Sequence, residues 1–400
     1  MHHRLSLVLA GVVAVCAAAP SAMAIPAFAR KYGVTCSLCH NPAPRLTAFG
    51  DAFAGNGFRM AAAEPARDTT DTGDPLLELA RDVPLALRVD AYIRAYTAGE
   101  ASTDLQTPYA LKLLSGGTLS SKLSYYLYFF LFERGEVGGI EDAFLYVNDI
   151  GNVPVDVAVG QFQVSDPLFK RELRLEIDDY AIYRARLGTQ TVDLTYDRGI
   201  MGIADIAGFT LSAEVVNGNG RGEAQPNRRL DDNAFKNLFG HLTRALGPNL
   251  RLGVLGYYGR ARGVSATTID TVVNTTWMVG GDATIAFGPV ELNGQFLHRE
   301  DDAPTFTTGE APVEFDGGFA ELIVAPPQSR WYGVALYNLI DASAPLLDVR
   351  LGGTAPVDRY HTVTGGLGYL LRRNVRFYGE ATWDIELEAG RFGLGVTAAF

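Results

Sequence analysis

The sequence predicts a mainly β protein, an antiparallel transmembrane barrel of roughly 16 strands that follows a small helical or irregular N-terminal segment. Two observations predict the barrel. Apolar and polar side chains alternate with period two from residue 83 to the C-terminus, and short turns alternate with long polar loops. A third observation, the motif Cys36-Ser-Leu-Cys39-His40, sets the N-terminal segment apart.

The first 24 residues have the organisation of a secretory signal peptide. Arg4 precedes an apolar run from Leu5 to Ala19, and Ala22-Met23-Ala24 supplies the small residues of a cleavage site. The run is shorter than the about 20 apolar residues that span a bilayer. We therefore expect cleavage after Ala24, loss of Cys16 with the signal, and export of the chain.

Composition divides the mature chain into three regions and excludes one class of function. A compact segment covers residues 25–62, a polar and Pro-containing linker covers 63–82, and the alternating β region covers 83–400. The net charge of -11 gives no basic face for nucleic acid. No later stretch reaches 18 consecutive apolar residues, so we expect no transmembrane helix.

The clearest strand pattern is "VRFYGEATWDIEL" near the C-terminus. Apolar or small side chains from Val375 to Leu387 alternate with polar ones from Arg376 to Glu386, which predicts one apolar and one polar face. "VELNGQFLHRE" and the final "RFGLGVTAAF" repeat the pattern, whereas "SKLSYYLYFFLFE" is apolar on both sides.

Turn signals fall into two groups of very different length, and both groups are needed for an outer-membrane barrel. Tight connections are expected at Gly247-Pro248-Asn249, Phe287-Gly288-Pro289 and Arg372-Arg373-Asn374. Long polar loops are expected at 216–234, 300–312 and 341–358. In outer-membrane barrels the periplasmic turns are short and the outer loops are long.

Aromatic residues near strand ends favour the same fold over a soluble β-sandwich or propeller, which also has alternating strands. Girdles at the two membrane surfaces are expected from Tyr92, Tyr96, Trp277, Trp331, Tyr332, Tyr360 and Trp383. The chain also ends on Phe400 after an alternating strand, which resembles the assembly signal of bacterial outer-membrane barrels. The predicted location is the outer membrane of a Gram-negative cell.

The pattern Cys36-x-x-Cys39-His40 indicates covalent attachment of one haem c. Two thiols at this spacing can add to the two vinyl groups of one porphyrin, and the adjacent imidazole can serve as the proximal iron ligand. Attachment also prevents loss of the cofactor outside the inner membrane.

Three other uses of two cysteines were weighed. A structural zinc site needs about two further ligands at suitable spacing, and no other mature cysteine exists. A thioredoxin-like pair belongs among alternating strands and helices, which this chain lacks. A disulfide between Cys36 and Cys39 would close a short loop and stabilise little.

The distal ligand is less constrained by the sequence. Met60 is the soft axial candidate inside the small segment, although it could simply pack there or begin the linker. The other mature histidines, His241, His298 and His361, lie in the β region. A peroxidase would need a distal His or Arg, and the arginines downstream of the motif, Arg45 and Arg59, are more simply a salt bridge or propionate contacts.

The small segment is too short to bury a porphyrin alone, because domains below about 40 residues rarely sustain a core unaided. A barrel of about 16 strands has a polar lumen wide enough to hold such a segment as a plug. The haem would then sit within an apolar band about 25 Å tall, an arrangement suited to moving electrons.

The stretch "IPAFARKYGVTCSLCHNPAPRLTAFGDAFAGNGFRM" followed by a barrel resembles the fused monohaem cytochrome–porins of the bacterial outer membrane, including those proposed to oxidise iron. The matching pieces are Phe28-Ala29-Arg30, the haem motif, Leu46-Thr47-x-Phe49-Gly50 and Asn56-Gly57-Phe58. The resemblance implies Cys36 and Cys39 as attachment sites and His40 as proximal ligand. "GQFQVSDPLFKRELRL" (160–175) is similar to a segment of related outer-membrane proteins, without a role.

The expected function is an outer-membrane electron conduit, with ferrous-iron oxidation as one conceivable activity. The expected partners are outer-membrane lipid, an extracellular donor or acceptor, and a periplasmic carrier such as a soluble cytochrome or copper protein. Alternatives are an outward extracellular reductase, a porin with a structural or sensory haem plug, and a soluble periplasmic cytochrome. Acidic loop residues could attract ferrous iron but are more simply solvated charges: Glu300, Asp301, Asp302, Asp231 and Asp232.

Overall fold

The computed structural model describes residues 27–60, 69–77, 79–81, 83–98, 102–165, 171–265, 270–349 and 356–400. The predicted signal peptide and residues 61–68 of the compact segment and linker lie outside these ranges. Among the described residues, no helix has the length and apolar character needed to cross a membrane.

Three short helices form the N-terminal segment, which we call the plug (residues 27–60). Helix α1 covers Ala27–Tyr32, α2 covers Cys36–Cys39 and α3 covers Ala48–Gly55. The described part of the linker contributes one short antiparallel pair, Thr69–Thr70 with Leu79–Ala80.

Sixteen antiparallel strands close into one barrel, as the sequence predicts. Each strand pairs with the next, and the last pairs with the first through Val396 opposite Ala91. In chain order, β1 to β16 are Leu85–Tyr96, Thr103–Thr118, Leu123–Glu133, Gly139–Val147, Val155–Gln163, Tyr196–Ile206, Phe209–Val216, Asn237–Ala245, Leu250–Val264, Thr271–Phe287, Val290–Asp301, Val313–Val324, Trp331–Ala342, Arg359–Arg372, Val375–Asp384 and Ala389–Ala399.

The alternating pattern turns its apolar side outward. In β15, Phe377 and Trp383 are 48% exposed on the outer surface, whereas Arg376 and Glu380 are buried in the lumen. Strand β11 follows the same rule, with Phe296 outside and Asn293 inside. The predicted two-faced strands are therefore confirmed, and the apolar face forms the outside of the barrel as a membrane-spanning barrel requires.

Strand β3 is apolar on both sides because its inner face meets the plug. Leu131 is exposed on the outside, and Tyr128 and Phe130 are buried inside. The Tyr126 ring stacks on Phe58 of the plug, with 4.7 Å between ring centroids. The double-sided pattern that the sequence left unexplained is the contact surface for the N-terminal segment.

The predicted aromatic girdles are only partly correct. Trp277, Trp331 and Trp383 are exposed on the barrel surface. However, Tyr92, Tyr332 and Tyr360 are at most 6% exposed. Those three residues have the strand parity that points inward, so their rings fill the lumen.

The two ends of the barrel differ as expected. One end carries seven short turns, whose longest is residues 148–154, and it also holds the plug. The other end carries the long loops, including those predicted at 216–234, 300–312 and 341–358. By the rule for outer-membrane barrels, the plug end is the periplasmic end.

The described part of the connection between β5 and β6, residues 164–165 and 171–195, folds into the lumen, and we call it the inward segment. It contains helix α4 (Ala181–Arg184) and a two-residue strand, Arg186–Leu187, paired with Leu347–Asp348. Its side chains Leu175 and Tyr180 have no exposed surface. A largely buried connection of this kind was not predicted from the sequence.

The inward segment is bonded to the far wall of the barrel. Asp178 accepts hydrogen bonds from Arg94 of β1 at 2.8 Å and from Arg391 of β16 at 2.9 Å. Tyr180 donates to Glu321 of β12 at 2.5 Å and stacks on Phe319 at 4.3 Å. Burial acts to raise the pKa of Asp178, but Arg391 and Arg94 outweigh it and hold the pKa below its ordinary value.

Two further contacts complete the crossing. The backbone N–H groups of Ile177 and Asp178 donate to Glu380 of β15, at 2.8 and 3.3 Å. The backbone N–H of Ala181 donates to Asn338 of β13 at 3.2 Å. Because the segment leaves the wall at β5 and binds strands on the opposite side, it lies across the lumen.

Arg299 of β11 anchors the inward segment, and its loss is expected to be strongly destabilising. The buried guanidinium donates to the backbone oxygens of Ala185 and Val192 at 3.1 and 2.9 Å and pairs with Asp301 at 2.6 Å. Arg299→Ala leaves Asp301 buried without this partner, which costs about 3–5 kcal/mol in comparable pairs. Urea unfolding should show the loss, together with faster proteolysis of the inward segment.

A matched control is Arg359→Ala, which breaks the exposed pair between Arg359 and Asp341 on the barrel exterior. The control should unfold at nearly the wild-type urea concentration. Equal effects of the two substitutions would show that the inward segment is not held by Arg299.

Candidate functional site

The plug begins with helix α1, which ends where the chain reverses toward the cysteines. Gly33 adopts a positive φ of 65°, and the N–H of Val34 bonds to the carbonyl of Ala29 at 3.1 Å. A left-handed residue at this position is the usual helix termination by glycine. The turn delivers Thr35 as the N-terminal flanking residue of α2.

Helix α2 is a single turn that brings the motif together. Cys36 and Cys39 lie at its two ends as free thiols, and the N–H of His40 bonds to the carbonyl of Cys36 at 2.9 Å. One helical turn places residues three apart on the same face. Both sulfurs therefore lie on one side of the turn, with the imidazole next to them.

Helix α3 packs closely on α2, and this contact requires glycine at position 50. Thr47 caps α3 by accepting from the N–H of Gly50 at 3.2 Å, and its hydroxyl donates to the carbonyl of Leu38 at 2.7 Å. A Cβ at position 50 would lie 2.3 Å from the carbonyl oxygen of Cys39. The Thr-x-x-Gly pattern thus holds α3 against the haem motif.

The stretch Asn56-Gly57-Phe58 docks the plug onto the barrel wall. Tyr146 of β4 donates its hydroxyl to the carbonyl of Gly55 at 2.7 Å. A Cβ on Gly57 would lie 2.6 Å from Ser124 Oγ, so only glycine permits this approach. Phe58 stacks between Phe28 and Tyr126, with centroid distances of 5.4 and 4.7 Å.

Between the plug and the wall lies a mainly apolar cavity of about 250 Å³, which we call the inner cavity. Cys36, Cys39, His40 and Met60 all line it. Its apolar walls come from the plug, from strands β1, β2, β3, β14, β15 and β16, and from Leu173 of the inward segment. The structure therefore brings every predicted site residue to one cavity.

The imidazole of His40 is oriented for ligation. Its Nδ1 lies 2.8 Å from the carbonyl oxygen of Pro44, which can accept the ring proton. A histidine whose Nδ1–H is bonded to a backbone carbonyl leaves Nε2 as the ligating nitrogen. The Pro44 carbonyl therefore supplies the outer partner that haem-binding histidines need.

Burial shifts the ionisation of all three motif residues. Burial lowers the pKa of His40, against the opposing effect of its bonds to the Pro44 and Arg45 backbone, so the ring is neutral near pH 7. Burial raises the pKa of the Cys36 and Cys39 thiols, so both are protonated there. A neutral imidazole is the form that binds iron.

Met60 lines the inner cavity and packs, half-buried, against the aromatic core of the plug. Its position is compatible with both interpretations weighed from the sequence, a distal ligand or a packing residue. Among the described histidines, only His40 lines the inner cavity. His241 pairs with Asp282 in the lumen, and His298 and His361 lie on outer faces of strands.

The two plug arginines considered for a peroxidase do not line the inner cavity. Arg45 forms a salt bridge with Glu291 of β11, as its simpler interpretation held. Arg59 bonds to the Asn56 side chain at 3.3 Å and to the carbonyl of Ser121. Three other arginines, Arg88, Arg373 and Arg376, line the cavity from the wall.

The acidic residues considered for ferrous iron occupy different environments. Asp301 is fully buried beside Arg299, so its interpretation as a solvated loop charge is wrong. Glu300 instead lies on the outer face, where its oxygen, a nitrogen of His298 and an oxygen of Glu314 are within 4.8 Å of one another. Asp231 pairs with Lys236 in the loop after β7.

A second, polar cavity of about 570 Å³ opens on the long-loop side of the inward segment. Arg94, Arg134 and Asp104 line it from the wall. Within the inward segment, Glu172 faces the inner cavity, and Arg174 only two residues later faces the outer one. A single layer of chain therefore separates the two cavities.

Solved structures of similar fold are outer-membrane porins. The anion-selective porin from Comamonas acidovorans has a TM-score of 0.57 and 13% identity over 80% of this chain and 99% of that porin. OmpT of Vibrio cholerae has a TM-score of 0.55 and 11% identity, over 80% of this chain and 97% of the other. For DcaP of Acinetobacter baumannii the values are 0.53 and 12%, with the same coverage.

These similarities establish a porin-type barrel for this chain. No protein-family model matches the sequence, and no curated protein matches it.

Proposed function

We propose that this protein is an outer-membrane electron conduit in which one haem c, held by the plug, passes electrons between an extracellular partner and a periplasmic carrier. The observation that carries the proposal is that Cys36, Cys39, His40 and Met60 line one apolar cavity at the short-turn end of a porin-type barrel. Export after cleavage at Ala24 and residence in the outer membrane are parts of the proposal.

The residues around the inner cavity suit this cofactor. Cys36 and Cys39 would hold it by two thioethers, and His40 would bind the iron through Nε2. When bound, the haem supplies an iron that changes its oxidation state by one electron. The apolar wall excludes water, and Arg88, Arg373 and Arg376 could neutralise the two propionates. Met60 stands as the proposed distal ligand, which would raise the reduction potential.

The inward segment favours a conduit over a diffusion porin. Porins of 16 to 18 strands leave an aqueous channel. Here fully buried side chains cross the lumen and bond to strands on the far side, and the plug covers the short-turn end. The described residues therefore obstruct the lumen to solutes, which supports electron transfer over solute diffusion as the function.

Two other functions use the same parts. An outward extracellular reductase would differ only in the direction of electron flow, which the reduction potential of the haem decides. A porin with a structural or sensory haem plug is favoured by the porin-type fold itself. Ferrous iron as the extracellular donor follows from the family resemblance alone.

Electron transfer across lipid vesicles tests the proposal. The protein is reconstituted in vesicles that contain ferricyanide, and a membrane-impermeant reductant or ferrous iron is added outside. We expect reduction of the trapped ferricyanide to be at least about tenfold faster than in empty vesicles. Rates equal to those of empty vesicles would contradict the conduit, and reduction by dithionite but not by ferrous iron would exclude that donor.

A further inference from the structure

The plug carries a charge opposite to that of the whole protein. Residues 27–60 contain four basic side chains and one carboxylate, whereas the whole chain has a net charge of -11. The acidic surplus lies outside the plug. This asymmetry concentrates positive charge at the end of the barrel where the predicted haem motif is exposed.

Turns of the barrel rim extend the positive surface. Lys31 lies 3.5 Å from Thr118 Oγ1 at the end of β2, and Arg59 bonds to Ser121 in the following turn. Arg373 lines the same inner cavity as Cys36 from the turn after β14. We define the mouth patch as the basic side chains of Arg30, Lys31, Arg59, Lys122, Arg372 and Arg373.

Exposed apolar side chains lie on the plug at the same end of the barrel as the mouth patch. Leu38, between the two cysteines, is 36% exposed, and Phe49 of α3 is 41% exposed. The Thr47 hydroxyl bonds to the carbonyl of Leu38 and so ties these two elements together. An exposed apolar centre with a charged rim is the usual anatomy of a protein–protein interface.

We propose that the mouth patch is the docking surface for a soluble electron-carrier protein whose redox centre is surrounded by carboxylates. This inference rests on the proposed conduit function and specifies the electrostatic character of the periplasmic partner. Complementary charge would steer the carrier to the mouth, and the apolar centre would let the two redox centres approach. One electron leaves the protein and reduces the carrier, with no proton or bond transferred.

Anionic lipid is the other negatively charged surface at this end of the barrel. Lipid contacts the outward faces of the strands, not the plug. Arg244, near the end of β8, is exposed and shares the outward face of that strand with the exposed apolar side chains Leu238 and Leu242. Its guanidinium lies 4.5 Å from the ring centroid of Phe209. Arg244 therefore faces lipid, whereas the mouth patch lies on the plug and rim.

Stopped-flow electron transfer with carriers of opposite charge tests the docking surface. The chemically reduced protein in detergent is mixed with oxidised plastocyanin of acidic surface, or with oxidised cytochrome c of basic surface. At low ionic strength we expect the acidic carrier to react at least about tenfold faster, and salt to remove this preference. A rate with plastocyanin that is independent of salt would overturn the proposal.

Charge reversal distinguishes attraction by the mouth patch from attraction by the overall charge of the protein. Lys122→Glu with Arg372→Glu changes rim residues that do not line the inner cavity and should lower the plastocyanin rate about tenfold. Arg244→Glu, at the same end but facing lipid, should leave it unchanged. Equal effects of the two variants would assign the attraction to overall charge or lipid and overturn the proposal.

A binding measurement distinguishes failure of docking from failure of electron transfer. Plastocyanin is passed over the intact protein immobilised in nanodiscs at low and high salt. Salt-sensitive binding without electron transfer would contradict the conduit and support the docking surface. Electron transfer without salt-sensitive binding would support the conduit and contradict the docking surface.

Discussion

The double substitution Cys36→Ser with Cys39→Ser is expected to abolish covalent haem completely. Both sulfurs lie on one face of the single-turn helix α2 and line the inner cavity, and the one other cysteine, Cys16, lies in the predicted signal peptide. The haem-stained band on a denaturing gel and the pyridine haemochrome absorbance of the purified protein should both disappear. Electron transfer into ferricyanide-loaded vesicles should fall to the rate of empty vesicles.

The matched control is Ser37→Ala, an exposed position inside the same turn. It should retain the haem band and the wild-type transfer rate. On a denaturing gel, every variant should migrate as a folded barrel before boiling and as a slower, unfolded chain after boiling. This control separates loss of haem from loss of fold. Covalent haem in the double variant, or none in the wild type, would contradict the assigned site.

The intact protein is expected to conduct ions poorly in planar bilayers, and shortening the inward segment should open it. Deletion of residues 174–184 removes the contacts to Arg94, Glu321 and Asn338 that hold the segment across the lumen. Because a 16-strand barrel without such a crossing holds an aqueous channel, we expect single-channel conductance to rise by about tenfold or more.

Deletion of residues 222–232, in the long loop after β7, removes the same number of residues and should leave conductance low. Mild acid should leave the bonds of Asp178 to Arg94 and Arg391 intact. The pKa of Asp178 lies below its ordinary value of 3.8, so its bonds to Arg94 and Arg391 persist at neutral pH and weaken only as pH falls below that value. High conductance of the wild type near pH 7 would favour the porin with a structural plug.

The grouping of Cys36, Cys39 and His40 and the directions of the strand faces could be predicted because each depends on near neighbours in the chain. Cys36, Cys39 and His40 lie within five residues, so one helical turn is enough to bring them together. Strand parity likewise repeats every two residues, and the outward apolar faces of β11 and β15 are confirmed.

The inward or outward direction of each side chain on its strand also explains which residue assignments were wrong. Tyr92, Tyr332 and Tyr360 were assigned to girdles because they lie near strand ends, but their side chains point into the lumen. Asp301 was taken for a loop charge because it stands in an acidic run, yet it closes β11 beside the buried Arg299. A run of charges does not reveal which side chains face inward.

The inward segment could not be derived from its own residues. The stretch "GQFQVSDPLFKRELRL" (160–175), which runs from the end of β5 into the segment, has no clear period. The partners of Asp178 and Tyr180 are as far away as Arg391 and Glu321. Such contacts form only when the barrel has closed and brought distant strands around the lumen. The inner cavity depends on the same closure, since its walls come from six strands, the plug and the inward segment.

The amino-acid sequence by itself therefore determined a β-barrel of about 16 strands and a CxxCH segment ahead of it, because both are written in local periodicity and spacing. The tertiary structure decided that the plug lies at the short-turn end, that its motif faces an apolar cavity, and that a buried connection crosses the lumen. These features depend on side chains hundreds of residues apart, which only the closed barrel brings into contact.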